Sequence, residues 1–176
     1  ARAVTPAVAV PAMELVQGTH LLLDGPPQAG VYYLESPRDG RAIFVMPWRE
    51  QLLLGTTAVR FHGDPAAVAP GAHEIHYLLS VLHHYFPRYR SVSAASLRGA
   101  FSGLRVLPAR GGHAFHRSRE TLLTTDRERR PRLLTIYGGK LTTWRAVAAR
   151  VMERIAASLP QRRALARTDQ LELHPS

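Results

Sequence analysis

The chain has 176 residues, 45% of them hydrophobic, which is enough for one sizeable core and short for two, so a single globular body is expected. No apolar run approaches the roughly 20 residues that span a bilayer, the Ala-Val-Pro start lacks the charged region and apolar core of a signal peptide, and the lack of cysteine excludes disulfides, thiolate metal sites and thiol nucleophiles while fitting a cytosolic address. A formal charge of +10 calls for an anionic partner to be considered: nucleic acid, acidic lipid headgroups or a phosphorylated small molecule.

Residues 1–15 mix Ala, Val and Pro without period and read as an extended connector. Strands are expected at Val16–Leu23, Val31–Leu34, Ala42–Pro47 and Leu52–Thr56, punctuated by Asp24-Gly25-Pro26-Pro27, Pro37-Arg38-Asp39-Gly40 and a turn at Arg49-Glu50; short strands so spaced suggest an antiparallel sheet. Gly63-Asp64-Pro65 breaks this pattern, and a helix should start near Pro70-Gly71 with Ile75, Leu78, Leu79, Leu82 and Phe86 on one side. The other side carries His73, His76 and His84, with His83 at its flank. That spacing admits a metal in principle, but such ligands need a closed or supported geometry with acidic or thiolate company, and a solvated face is the expectation.

After Pro87 the chain reads as strand again through Val92–Leu97 and Phe101–Pro108. Arg105 lies inside the second run, two residues after Gly103, and a buried arginine needs either an anionic ligand or a core carboxylate. A hairpin should follow, with Phe115-His116-Arg117 and Thr121-Leu122-Leu123 on one strand and Arg132–Tyr137 on the next. Two arginine groups, at Arg127, Arg129, Arg130, Arg132 and at Arg150, Arg154, Arg162, Arg163, Arg167, read as solvated basic faces, with a nucleic-acid surface as the alternative.

The segment Tyr137-Gly138-Gly139-Lys140-Leu141-Thr142-Thr143-Trp144-Arg145 stands apart, because Lys140 is the single lysine among 23 lysine and arginine residues. A compact, rotatable ammonium does what a planar guanidinium does not. Leu133–Tyr137 reads as a strand, the two glycines as a tight turn, and Trp144, Ala148, Val151, Met152, Ile155 and Leu159 recur at helical spacing up to Pro160. At such a helix start unpaired amides and the dipole attract an anion, and the hydroxyls of Thr142 and Thr143 add donors. An ordinary strand-to-helix turn with an incidental lysine is the alternative.

Taken in order, Val16-Gln17-Gly18-Thr19-His20, Val45-Met46-Pro47-Trp48, Leu54-Gly55-Thr56-Thr57, Phe101 to Leu107, His116-Arg117 and Gly138 to Arg145 resemble the FAD-dependent glycerol-3-phosphate dehydrogenases from about Val16 to Leu159. The Gly-Gly-Lys-Leu-Thr-Thr piece is the most specific. No G-x-G-x-x-G turn is present, so the resemblance implies a substrate domain (16–160) with a returning flavin-facing strand-turn-helix (about 132–160) and a polar tail (161–176), parts of a longer polypeptide. It implies an α+β fold: a mostly antiparallel or mixed β-sheet with one long helix packed on it, plus the C-terminal strand-turn-helix that belongs to the flavin-binding region.

The implied reaction is oxidation of sn-glycerol 3-phosphate to dihydroxyacetone phosphate, with hydride passing to FAD and electrons to a membrane quinone. The isolated piece should neither bind FAD nor turn over. The resemblance places Arg105, Arg117 and Lys140 at the substrate, gives Arg105 and Lys140 the catalytic roles, and puts Gly138, Gly139, Lys140, Leu141, Thr142 and Thr143 at the cofactor, with no metal. His20, Thr56 and Thr57 match family positions too, with packing roles as an equal reading. Two departures stand out: Arg105 is followed by Val106 where many relatives have proline, and Arg117 by Ser118 where they often have aspartate. The implied setting is cytoplasmic, peripheral to the inner face of the membrane, with a homodimer as candidate assembly and no specific nucleic acid. An amine or amino-acid oxidase of the same flavin superfamily and a basic nucleic-acid-binding module are the competing readings.

Overall fold

The structure, a computed structural model, describes residues 8, 10–25, 30–109, 121–163 and 165–171. Its contacts group into two compact units, Glu14–Val106 with Gly111–Arg117, and Ala1–Met13 with Leu107–Arg110 and Ser118–Ser176. The range 16–160 is therefore distributed over both.

The first unit is built on a six-stranded sheet. Its strands are β1 (Met13–Asp24), β2 (Tyr32–Glu35), β3 (Ala42–Trp48), β4 (Gln51–Gly55), β5 (Val59–Phe61) and β6 (Gly99–Pro108), in the order β2-β3-β4-β1-β5 with β6 also paired to β1. The pairs β2–β3, β3–β4, β1–β4 and β1–β5 are all antiparallel. Register puts Leu21 opposite Leu54, Leu23 opposite Leu52 and Val45 opposite Leu54, so a two-residue period collects these leucines and valines on one side of the sheet.

Helix α1 (Ala72–Tyr85) packs on that side. Leu78, Leu79 and Leu82 close over Leu21, Leu23, Ile43, Val45, Leu52 and Leu54, and most of these side chains are fully buried. The helix ends where Pro87 offers no amide to continue it; the last such bond runs from the Phe86 amide to the Leu82 carbonyl, 2.9 Å.

The structure departs from the sequence expectations at several places. Strand β1 starts at Met13, three residues inside the expected connector, because Leu15–Gln17 pairs with β5, a three-residue strand too short to signal itself. The expected strand at Val92–Leu97 is absent. Its backbone bonds are local (Val92 amide to Tyr89 carbonyl, 2.9 Å; Ser96 amide to Ser93 carbonyl, 3.1 Å), and Ala94–Ser96 is a 3-10 turn held by the Ser93 amide donating to Ser96 Oγ.

The second unit contains a hairpin and a helix. Strands β7 (Leu122–Thr125) and β8 (Leu134–Tyr137) pair antiparallel, Leu122 opposite Tyr137, and the Asp126 carboxylate closes the turn by accepting the Arg132 and Leu133 amides at 2.9 and 3.2 Å. The expected strand residues Phe115, His116 and Arg117 lie outside the described residues. A 3-10 turn at Leu141–Thr143 precedes α2 (Trp144–Ile155), which gives way to another 3-10 turn at Ala156–Ser158, so the helix stops short of Pro160. No residue of α2 is buried, and Trp144 and Met152 on its apolar stripe are 64% and 54% exposed.

Leu82→Ala should lower unfolding free energy by about 2–5 kcal/mol through the cavity it leaves. His76→Ala on the exposed side of α1 should move it by less than about 0.5 kcal/mol. Urea denaturation followed by circular dichroism checks both.

Candidate functional site

The side of the sheet facing away from α1 carries the candidate chemistry of the first unit. Two glycines open it. A Cβ at Gly18 would collide with the guanidinium of Arg105 and the hydroxyl of Thr56, and one at Gly55 would collide with the ring of His20. Bare backbone at these positions lets β1 and β4 carry large polar side chains laid flat on the sheet. Arg105, half-buried on β6, donates from Nη2 to the Thr57 carbonyl at 2.7 Å, and Thr56 Oγ1 donates to the same oxygen at 3.2 Å. His20, directly opposite Gly55, stacks on Phe101 with ring centroids 5.2 Å apart and planes 11° apart. Phe101 and Phe44 on the same side remain 49% and 39% exposed.

Burial, and next the neighbouring Arg105 charge, push the His20 pKa below its ordinary value of 6.5. The ring is therefore mostly neutral near pH 7. A guanidinium anchored at one corner beside a neutral imidazole suits an anionic ligand that also carries a hydroxyl.

On the α1 side of the same strands lies a buried polar network that sequence reasoning did not single out. Glu74, 1% exposed in the first turn of α1, accepts from Thr57 Oγ1 and Gln17 Nε2, both at 2.5 Å, and from the Gly71 amide at 3.1 Å. Thr57 Oγ1 accepts the Thr19 amide at 2.9 Å, and Ser102 Oγ lies 2.7 Å from Thr19 Oγ1. The one sequence signal was a glutamate three residues into a helix after Pro70-Gly71, the spacing at which a carboxylate reaches back to the helix start.

In the second unit the Gly-Gly-Lys corner follows β8. Gly138 and Gly139 adopt φ of 70° and 88°, and a Cβ at Gly139 would lie 2.8 Å from Thr121 Oγ1, so only glycine suits this position. Lys140 then turns to extended backbone (φ −129°, ψ 149°) and caps the 3-10 turn. Its side chain is exposed, as are Leu141 (87%), Thr142 and Thr143; the corner is not packed shut. Thr143 Oγ1 donates back to the Lys140 carbonyl at 2.9 Å, which rigidifies the turn. Just upstream, Tyr137 Oη and Thr124 Oγ1 are buried without a hydrogen-bond partner among the described residues. Exposed backbone at Gly138 and the exposed Lys140 ammonium fit an anionic, hydrogen-bonding cofactor.

Arg105 lies in the first unit, Lys140 and the surrounding residues in the second, and Arg117 outside the described residues. Among the described residues no cluster of three or more His, Asp or Glu forms a metal site, and no helix is long and apolar enough to cross a membrane. His83 is engaged with the Val92 carbonyl, 3.0 Å away. Arg127 and Arg132 approach Asp126 at 3.7 and 3.6 Å, so part of the first basic group is locally compensated.

The chain matches the FAD dependent oxidoreductase family over residues 1–165 and belongs to it. Among individual proteins it is 32% identical over 147 residues to the aerobic glycerol-3-phosphate dehydrogenase of Escherichia coli, covering 81% of this chain and 29% of that protein. It is 31% identical to the D-erythritol 1-phosphate dehydrogenase of Brucella abortus, covering 85% of this chain and 30% of that protein. A solved structure, the glycerol-3-phosphate dehydrogenase from Bacillus halodurans complexed with FAD, superposes with a TM-score of 0.66 at 28% identity, covering 82% of this chain and 27% of that one. The chain thus spans under a third of the length of these relatives.

Because folding lowers the His20 pKa, the unfolded chain binds that proton more tightly. The contribution of His20 to stability is complete above its ordinary pKa of 6.5 and is lost as pH falls from there through the folded value. Arg105→Gln should raise the His20 pKa toward 6.5 without reaching it, since burial remains. An NMR titration of the His20 ring measures this.

Proposed function

We propose that this chain is the substrate-binding part, with the returning Gly-Gly-Lys strand-turn-helix, of a longer FAD-dependent dehydrogenase that oxidises sn-glycerol 3-phosphate to dihydroxyacetone phosphate. The observation that carries the proposal is Arg105, anchored by one nitrogen to the Thr57 carbonyl beside the neutral ring of His20 on a partly exposed sheet face. The relatives named above, glycerol-3-phosphate and D-erythritol 1-phosphate dehydrogenases, support the same substrate class.

In this proposal Arg105 and Arg117 hold the anionic end or the reacting oxygen of the substrate, because a guanidinium fork pairs two oxygens at once. Gly138, Gly139, Lys140, Leu141, Thr142 and Thr143 would hold FAD. The glycines let it approach the backbone, Lys140 supplies a positive charge, and Thr142 supplies a hydroxyl donor. When bound, FAD supplies the two-electron acceptor for the hydride. Arg105 would stabilise the negative charge on the substrate oxygen as its hydroxyl proton leaves to a general base, and Lys140 would offset negative charge on the cofactor as the hydride is accepted. Electrons leave to a quinone at the inner face of the cytoplasmic membrane, and the assembly is a homodimer.

In the complete protein, Arg105→Ala should lower kcat/KM for glycerol 3-phosphate by about 10²-fold, the worth of a charge-assisted hydrogen bond at a reacting group. Lys140→Ala should lower the flavin-dependent turnover comparably while circular dichroism stays unchanged. Steady-state kinetics check both, and wild-type kinetics in the two variants would reject the residue roles. Activity toward amino acids and none toward glycerol 3-phosphate would assign the chain to an amino-acid oxidase instead.

A further inference from the structure

We propose that Thr57 and Glu74 are positioning residues for Arg105. In this arrangement the Glu74 carboxylate fixes the Thr57 side chain from the α1 side of the sheet, and through it the Thr57 carbonyl that orients the guanidinium on the opposite side. The inference rests on the assignment of Arg105 to the substrate anion made above.

Thr57 sits at a crossing point of the sheet. Its hydroxyl donates to Glu74 Oε1 at 2.5 Å and accepts the Thr19 amide at 2.9 Å, while its own amide donates to the Thr19 carbonyl at 3.4 Å. Both groups are buried, at 2% and 1% exposure, so no solvent competes for these bonds. The second carboxylate oxygen of Glu74 is held by Gln17 Nε2 and the Gly71 amide, and Gln17 also donates to the Ala69 carbonyl at 2.8 Å, so both oxygens of the carboxylate are engaged. A glutamate serving only as a helix cap would be satisfied by the Gly71 amide. Here one oxygen is committed to Thr57.

The consequence appears on the other side of the strand. The Thr57 carbonyl accepts Arg105 Nη2 at 2.7 Å and Thr56 Oγ1 at 3.2 Å. The Thr57 carbonyl is thus one anchor of a rigid, planar fork, and an anchored guanidinium loses less side-chain entropy when it meets an anion. Removing the Thr57 hydroxyl strands the Glu74 oxygen and frees the Thr57 peptide to tilt. The guanidinium then remains present and charged but loses the orientation that this carbonyl imposes.

The test uses the complete FAD-loaded protein and three measurements: KM and kcat for glycerol 3-phosphate, its Kd by calorimetry, and the melting temperature. Thr57→Val, which keeps shape and removes the hydroxyl, should raise Kd and KM about tenfold and lower kcat/KM by at least that factor, because Arg105 also meets the charge that develops in the reaction. Thr57→Ser, which keeps the hydroxyl, should restore all three. In an Arg105→Lys background, where the fork is already gone, Thr57→Val should add less than about twofold.

Glu74→Gln, which presents an amide donor to a site that already holds three donors, should shift KM in the same direction and provides a second route if Thr57→Val does not fold. Full, equal effects of Thr57→Val in both backgrounds, or a lowered melting temperature with KM and Kd unchanged, would overturn the proposal in favour of a purely structural network. KM raised by Arg105→Lys but unmoved by Thr57→Val and Glu74→Gln overturns this inference alone. KM unmoved by Arg105→Lys removes the Arg105 assignment and this inference with it.

Discussion

Successive side chains of β1 leave the sheet on opposite sides, and that alternation divides the chemistry of the first unit. Leu21 and Leu23 enter the core under α1, and Gln17 and Thr19 enter its polar end, whereas Gly18 and His20 face the other way toward Arg105 and Phe101. A one-residue slip against β4 would exchange the two sets, burying the imidazole and exposing the leucines, so the register that builds the core is the same one that builds the site. Gly55, opposite His20, and Gly18, beneath Arg105, are the two places where the strand gives up a side chain to make room.

The polar end of the core carries a stability penalty that the apolar end does not. Burying the Glu74 carboxylate is tolerable because three donors converge on it; a leucine in its place would leave Gln17 Nε2 and Thr57 Oγ1 short of a partner. Such a network does little for net stability compared with Leu78 and Leu82 in the same helix, and its benefit is geometric. The second unit shows a different economy. Gly138 and Gly139 in left-handed backbone swing the chain from β8 into α2, and the apolar stripe of that helix stays largely exposed.

Much of the sheet was legible because its strands are bounded by Pro, Gly and Asp and its apolar residues alternate; Ala42–Trp48 and Gln51–Gly55 lie within a residue of expectation. The helix spacing of Ile75, Leu78, Leu79 and Leu82 was equally clear. The segment after Pro87 misled, since Val92 and Leu97 look like strand residues but serve as anchors of local turns packed on the core. Strand β5 was invisible because three residues carry no period. Of the candidate residues, Arg105 in the first unit stood out by context, Lys140 in the second by composition, and His20 by resemblance. Glu74 did not, because an acidic residue near a helix start ordinarily faces water, and only the fold brings Gln17 and Thr57 to it from 57 and 17 residues away.

Substrate recognition by this sheet requires that the anchored guanidinium of Arg105 meet the ligand anion. The most direct measurement is a crystal structure of the complete protein with glycerol 3-phosphate or dihydroxyacetone phosphate bound. A substrate oxygen within about 2.7–3.2 Å of an Arg105 nitrogen, with the Thr57 carbonyl contact intact, is the predicted result. A substrate held wholly by other groups, with Arg105 turned into the sheet or paired to a protein carboxylate, would contradict it.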